Sequence, residues 1–329
     1  MKQIVSFLIA VLAMTLTAMN SQAQYYRLRA SDNIVAKKVS LGKFDAIKAS
    51  MSTSVYYTPG SGKAYAYIRV PDNLEKYLKV EVKDETLYVR FKFPNNNYGL
   101  EGNLHTEIYV YAPAVTNFSA STAARITLPK GLDTASKLNI SVSSSGDFVS
   151  DSPVKCLETV LDGSSAGRIT LPALSSGKVD FDVSSSTGMT IHSLACNSLN
   201  VDASSAAQCV IETLSCNSLK VDASSASNCK VSMLKCKEGV EVEATSAAKV
   251  ILAGTCKQAS YEVNSTAHIS AENLKAGNVK ADASSGGDIH CYTNGVLDTS
   301  YSSGGNIRYK GNPSRIIDRS KRSEGVSRL

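Results

Sequence analysis

The sequence predicts an all-β fold: a single-stranded parallel β-helix of about ten coils, each of about twenty residues, behind a strand-rich N-terminal cap. Three observations predict it. First, a phrase returns almost unchanged, Leu199-Asn-Val-Asp-Ala-Ser-Ser-Ala-Ala-Gln-Cys209 and then Leu219-Lys-Val-Asp-Ala-Ser-Ser-Ala-Ser-Asn-Cys229. Second, one apolar column recurs with little drift: Ile126, Phe148, Ile169, Met189, Cys209, Cys229, Val250, Ile269, Ile289 and Ile307. Third, each copy alternates apolar and polar residues, as in Leu199-Asn-Val201-Asp-Ala203, the period-two mark of a strand with one buried face. A helical repeat needs more than about thirty residues per unit, and a leucine-rich repeat needs a Leu and Asn ladder that is missing here. Coils stacked about 4.8 Å apart would make a rod about 50 Å long. No coil buries its apolar face alone, so stacking makes the core.

The elements follow in chain order. Residues 1–23 read as a secretion signal: Lys2, an apolar run from Ile4 to Leu16, and the small-x-small site Ser21-Gln22-Ala23. Its removal implies a protein of the periplasm, the outer-membrane surface or the medium, with no membrane-spanning segment of its own. Residues 24–118 form the cap. They hold 11 of the 15 tyrosines and lack the twenty-residue period. Strand patterns cover Val55–Tyr57, Ala64–Val70, Leu78–Val82, Thr86–Phe93 and Thr106–Tyr111, with a hairpin turn at Lys83-Asp84-Glu85 and one helical turn within Asp72–Tyr77. Pro94 to Gly99 is a polar loop. Residues 119–313 are the coils. Their Ser pairs supply corner chemistry, and the last two corners, Ser284-Ser-Gly-Gly and Ser302-Ser-Gly-Gly, read as tighter, φ-positive turns than the Ala-rich middle. Residues 314–329 are a basic, flexible tail carrying five Arg and Lys against two acids. Without leader and tail the net charge of +6 falls to about +2, which makes no case for nucleic acid.

These same residues resemble a known family. The strand-rich start, Glu75-Lys-Tyr-Leu-Lys-Val-Glu-Val-Lys-Asp-Glu-Thr-Leu87, Ser-Ser-Gly-Gly-Asp-Ile289 and the closing Tyr309-Lys-Gly-Asn-Pro313 are similar to the head GIN domain family of exported bacterial proteins, described as auto-transporter adhesins. The resemblance covers residues 40 to 313. It implies a right-handed β-helix and adhesion, and it supplies no catalytic residue.

Three side-chain files remain. Cys156, Cys196, Cys216, Cys236 and Cys256 share one phase and Cys209 and Cys229 another. In-register side chains point the same way, so small buried thiols are favoured over inter-coil disulfides. No Cys-x₂-Cys pair occurs, and His105, His192, His268 and His290 do not group with cysteines, which speaks against zinc. No cofactor is expected. Asp162, Asp182, Asp202, Asp222, Glu243, Glu262 and Asp282 form an outward carboxylate file. They are solvated, or accept hydrogen bonds from the corner amides, or hold calcium between coils.

A ligand face is expected among the cap's tyrosines and the loop of Asn95, Asn96, Asn97 and Tyr98. Tyr65, Tyr67, Tyr88, Tyr109 and Tyr111 also read as ordinary strand residues, half of them buried, and Tyr98 is the tyrosine packing explains least. The resulting reading is a non-catalytic exported envelope or surface protein, adhesin-like, with a glycan, a surface polymer or a surface protein as partner. A polysaccharide-processing enzyme on a β-helix scaffold and an assembly protein are the alternatives. The coils are too uniform to leave the long loops and asymmetric carboxylate pair that glycan cleavage needs.

Overall fold

The computed structural model describes residues 26–95, 97–102, 104–113, 115–320 and 325–329. The predicted leader lies outside them. Among the described residues there is no α-helix, only one short 3₁₀ turn at Glu75–Tyr77, and the rest of the regular structure is strand. The chain is a parallel β-solenoid, as its period requires. Strand Ser198–Ala203 lies in register on Ser218–Ala223 of the next coil, with Leu199 over Leu219, Val201 over Val221 and Asp202 over Asp222.

Each coil has three corners. The first is a four-residue turn, Ser204 to Ala207 in one copy, closed by the Ala207 amide donating to the Ser204 carbonyl at 3.0 Å. The other two appear where alternation breaks into two consecutive outward residues, Glu212-Thr213 and Asn217-Ser218, within Gln208–Ala223. Side chains at 209, 211, 214, 216, 219 and 221 all point inward and are buried. The apolar column of the sequence is a vertical file, with Ile169, Met189, Cys209, Cys229, Val250, Ile269, Ile289 and Ile307 in unbroken register.

The Ala-rich corners depart from the sequence reading. They are as φ-positive as the Gly-rich ones: Ser205 and Ala206 sit at φ 50° and 62°, Ser225 and Ala226 at 51° and 60°. Two successive left-handed residues make each corner a type I′ turn. An L-residue there costs about 1–2 kcal/mol. The solenoid holds the turn because its free amides continue the ladder, Ala206 N donating to Ser225 O at 2.9 Å and Ala226 N to Ser246 O at 3.0 Å. Ala206→Gly is therefore expected to stabilise the protein by about 0.5–1 kcal/mol, the relief of strain less the added freedom of the unfolded chain. A thermal melt shifted downward would contradict this account of the corner.

The column extends beyond the ten copies at both ends. Ser54–Pro59 runs parallel beneath Arg125–Leu128, with Val55 under Ile126, and Glu107–Ala112 runs beneath it in turn, with Ile108 under Val55. Ala46–Ala49 and Thr86–Phe91 do the same beneath Asn117–Ala120. The chain thus builds its second coil first, then leaves for an antiparallel excursion, then builds the end coil and returns. The twenty-residue period is lost because the insertion, not the geometry, sets the spacing. The excursion supplies the cap. Tyr65–Pro71 pairs antiparallel with Glu107–Ala112 and carries Ile34–Ser40 outside it, while Leu78–Lys83 folds back on Thr86–Phe91 through Asp84 and Glu85 at φ 48° and 55°. These strands cover the open parallel edge.

At the other end, the stretch read as a flexible tail is instead partly in the solenoid. Arg315–Asp318 pairs with Val296–Tyr301, and Val326–Arg328 pairs with Asn306–Lys310, placing Val326 on Ile307. Its charges mislead, because the outward positions of a strand are where charges belong. Arg319 also forms a two-pronged contact with Asp298, at 2.7 and 2.6 Å.

Candidate functional site

Five tyrosines share an outer face of the cap. Strand alternation drives it: along Tyr65–Pro71 and Glu107–Ala112 the inward residues are Ala66, Ile68, Val70, Ile108 and Val110, all buried. That leaves Tyr65, Tyr67, Tyr109 and Tyr111 facing out. Antiparallel register sets Tyr65 opposite Tyr111 and Tyr67 opposite Tyr109, and parallel register adds Tyr56 beside Tyr109. The rings of Tyr65 and Tyr111 stack at 5.0 Å, those of Tyr56 and Tyr109 at 4.8 Å, and Tyr67 meets Tyr65 edge-on at 5.5 Å. Lys38, from the outermost strand, sets its ammonium 4.1 Å from the Tyr65 ring centre. Arg69 and Glu107 pair at 2.8 Å at the rim, and the Tyr109 hydroxyl donates to Glu107 at 3.1 Å. Partial burial, with Glu107 next, pushes the Tyr109 hydroxyl above its ordinary range, so it stays protonated at neutral pH and can donate. Tyr67 remains 44% exposed.

The Tyr98 loop has a different character. Tyr98 lies on a strand paired with Tyr26–Arg29, and its ring stacks on Tyr26 at 5.2 Å and Phe93 at 5.4 Å, with Tyr77 at 6.2 Å. Packing explains this residue after all. Asn95 accepts a hydrogen bond from the Asn97 amide at 3.1 Å, and the Asn97 carbonyl receives the Tyr26 amide at 2.7 Å, so both close the loop. Asn96 lies outside the described residues. The sequence pointed to the cap's tyrosines as a group but not to this grouping, because Tyr65, Tyr67 and Tyr109 also look like ordinary strand residues. Only the pairing of three distant strands brings them together.

The carboxylate file is real geometry. Asp162, Asp182, Asp202, Asp222, Glu243, Glu262 and Asp282 stand in continuous register, and Ser300 follows. Partial burial, followed by the neighbouring carboxylates, pushes Asp162 and Asp202 above the usual range. Lys220 answers Asp222 at 3.3 Å and Lys280 answers Asp282 at 2.9 Å. The corner amides bond to carbonyls of adjacent coils. All eight cysteines are free thiols, seven of them buried. Burial pushes Cys196, Cys256 and Cys291 up to about 12, out of reach of thiolate chemistry at neutral pH.

Among the described residues, no helix is long and apolar enough to cross a membrane. Comparison with solved structures finds similar chains. A putative adhesin of Parabacteroides distasonis is 18% identical, covering 92% of this chain and 100% of that one, with a TM-score of 0.47. A putative adhesin of Parabacteroides merdae is 17% identical over 92% and 99%, with a TM-score of 0.41. A putative lipid binding protein of Parabacteroides distasonis is 17% identical over the same shares, with a TM-score of 0.37. No curated protein matches the chain. The family model described as "Putative auto-transporter adhesin, head GIN domain" matches residues 43–233 and 200–313. With the coils of residues 119–313, most of the cap and the closing motif inside those bounds, this chain belongs to the head GIN domain family.

Proposed function

We propose that this protein is a non-catalytic, adhesin-like protein of the bacterial envelope or surface, and that its tyrosine face binds glycan. Family membership supports the adhesin-like reading, and the leader-like sequence of residues 1–23 supports export. The observation that carries the ligand reading is the cap surface itself: Tyr56, Tyr65, Tyr67, Tyr109 and Tyr111 facing out from three paired strands, with Lys38, Arg69 and Glu107 at the rim. Tyrosine offers a flat apolar ring for a sugar face and a hydroxyl that stays in water. The strands hold the rings rigidly, so little side-chain freedom is lost on binding.

A glycan array with the purified protein tests this. Tyr67→Ala and Tyr111→Ala are each expected to weaken binding about ten-fold, the loss of about 1–1.5 kcal/mol of ring contact, with product analysis finding no cleavage of the bound glycan. Tyr98→Ala is expected to leave binding intact and to lower the melting temperature, because it empties an aromatic cluster. Loss of binding in Tyr98→Ala alone would return the site to the loop, and new reducing ends would turn the reading toward a polysaccharide-processing enzyme.

A further inference from the structure

We propose that His268, Asp288 and His290 form a binding site for a divalent transition-metal ion, zinc by its ligand set, on the outer face of the last coils. Solenoid register assembles the three residues. His268 lies beside Asp288 on adjacent coils, and His290 follows Asp288 by two residues, on the same outward side of its strand. Their inward neighbours, Ile269 and Ile289, are fully buried and fix the backbone beneath. His268 Nδ1 is 3.0 Å from Asp288 Oδ2, and His290 Nε2 is 3.2 Å from the same oxygen. One ligand atom from each residue lies within 4.8 Å of the other two. The imidazole rings stand edge to face at 84°, with centres 5.0 Å apart, so their nitrogens converge without stacking.

The groups around the site fit that role. Each of two ligands has its far atom already engaged. Ser270 Oγ holds His268 Nε2 at 2.7 Å, which leaves Nδ1 for the ion, and Asn306 donates to Asp288 Oδ1 at 2.9 Å, which leaves Oδ2. Such outer contacts orient ligands in metal sites. His290 Nε2 is buried with no hydrogen-bond partner among the described residues, although it faces the carboxylate. A buried, unpaired nitrogen costs stability unless something occupies it. A tetrahedral ion about 2.0–2.1 Å from each nitrogen and from the carboxylate oxygen would engage all three and keep a fourth position for water. Two imidazoles and one carboxylate suit zinc better than calcium or magnesium, which prefer oxygen. Lys249 and Arg308 occupy the register positions next to His268 and His290. The trio contains no cysteine and no short-range ligand motif. Its signal is the coil period, which sets His268 twenty residues before Asp288, together with strand alternation.

Zinc titrated into the chelator-stripped full-length protein near neutral pH, followed by calorimetry, tests the site. One ion per chain is expected to bind, and His268→Gln, His290→Gln and Asp288→Asn to abolish that binding. Asn306→Ala lies outside the ligand set and is expected to weaken it about ten-fold, so it serves should a ligand variant fail to fold. Cobalt in place of zinc is expected to give a tetrahedral visible spectrum without a thiolate charge-transfer band, which separates this site from the cysteine file. Absence of binding, or unchanged affinity in Asp288→Asn and Asn306→Ala, or a thiolate band, would overturn the proposal.

Discussion

Replacing Gly254 by alanine is expected to destabilise the protein by about 4 kcal/mol, the sum of an inaccessible backbone angle and an overpacked corner. The coil from Val250 to Ile269 is nineteen residues long, one fewer than the coils of twenty that begin at Met189, Cys209 and Ile269. The deficit is taken up at the second corner, where the register with the preceding coil jumps between Val231 and Leu234. Gly254 then occupies a position held by Leu194, Leu214, Leu234 and Leu274 in neighbouring coils. It does so at φ +133°, where an L side chain is strained whatever space it has. A Cβ there would also overlap the Leu234 carbonyl oxygen and lie 2.6 Å from the Leu234 nitrogen. These are backbone atoms of a paired strand and cannot swing aside. The same coil holds Tyr261, fully buried, in a file where its neighbours are Val242 and Ala281, so its extra bulk sits in the coil that lacks the leucine. Chemical denaturation of Gly254→Ala measures the effect. A loss below about 1 kcal/mol would mean that the corner relaxes freely and that the short coil is not strained into place.

The second large effect concerns the carboxylate file. Asp182→Asn with Asp202→Asn is expected to stabilise the protein by about 1.5 kcal/mol at neutral pH, because it removes three stacked like-charge contacts, each worth about 0.2–1 kcal/mol. The pH dependence follows from the direction of the shifts. Asp162 and Asp202 are raised, by burial first and neighbouring carboxylates second. Their native forms therefore hold protons more tightly than the unfolded chain does. The penalty is absent below the ordinary carboxylate pKa, grows as pH rises through the raised native values, and is complete at neutral pH. The advantage of the double variant should accordingly shrink as pH falls toward about 4. Calcium bridging is the competing proposal for the file, and it reverses the result. Millimolar calcium would then raise the melting temperature of the unmodified protein, chelator would lower it, and the double variant would respond to neither. Salt screening gives a third reading: added sodium chloride should narrow the difference if repulsion alone is at work.

The sequence carried the coils because a solenoid repeats one local problem. Every coil must bury the same positions and turn the same corner, so Ile169 to Ile307 share a phase visible by counting. The carboxylate file was legible for the same reason, since a period of about twenty converts directly into vertical stacking. The corners were legible in position but not in conformation. Ser205-Ala206 carries no glycine, and only the ladder of turn amides to neighbouring coils shows why alanine is held at positive φ.

What lay beyond the sequence depended on contacts between segments with no fixed separation. Val55 and Ile108 belong to the apolar column, yet they reach it out of chain order and so have no phase to count. The tyrosine face needs Tyr56, Tyr65 and Tyr109 from three strands, two of them antiparallel, and no period relates those. Tyr98 seemed free because its partners Tyr26, Tyr77 and Phe93 come from separate segments. The sequence by itself determined a parallel β-solenoid, its buried column and its charged file, because each follows from a local pattern repeated at constant spacing. The tertiary structure alone decided how the ends close and which side chains meet at the tyrosine face, because those are fixed by which strand edges pair. The His268, Asp288 and His290 cluster falls between the two: the coil period sets its members side by side, and only the structure shows their nitrogens and carboxylate converging.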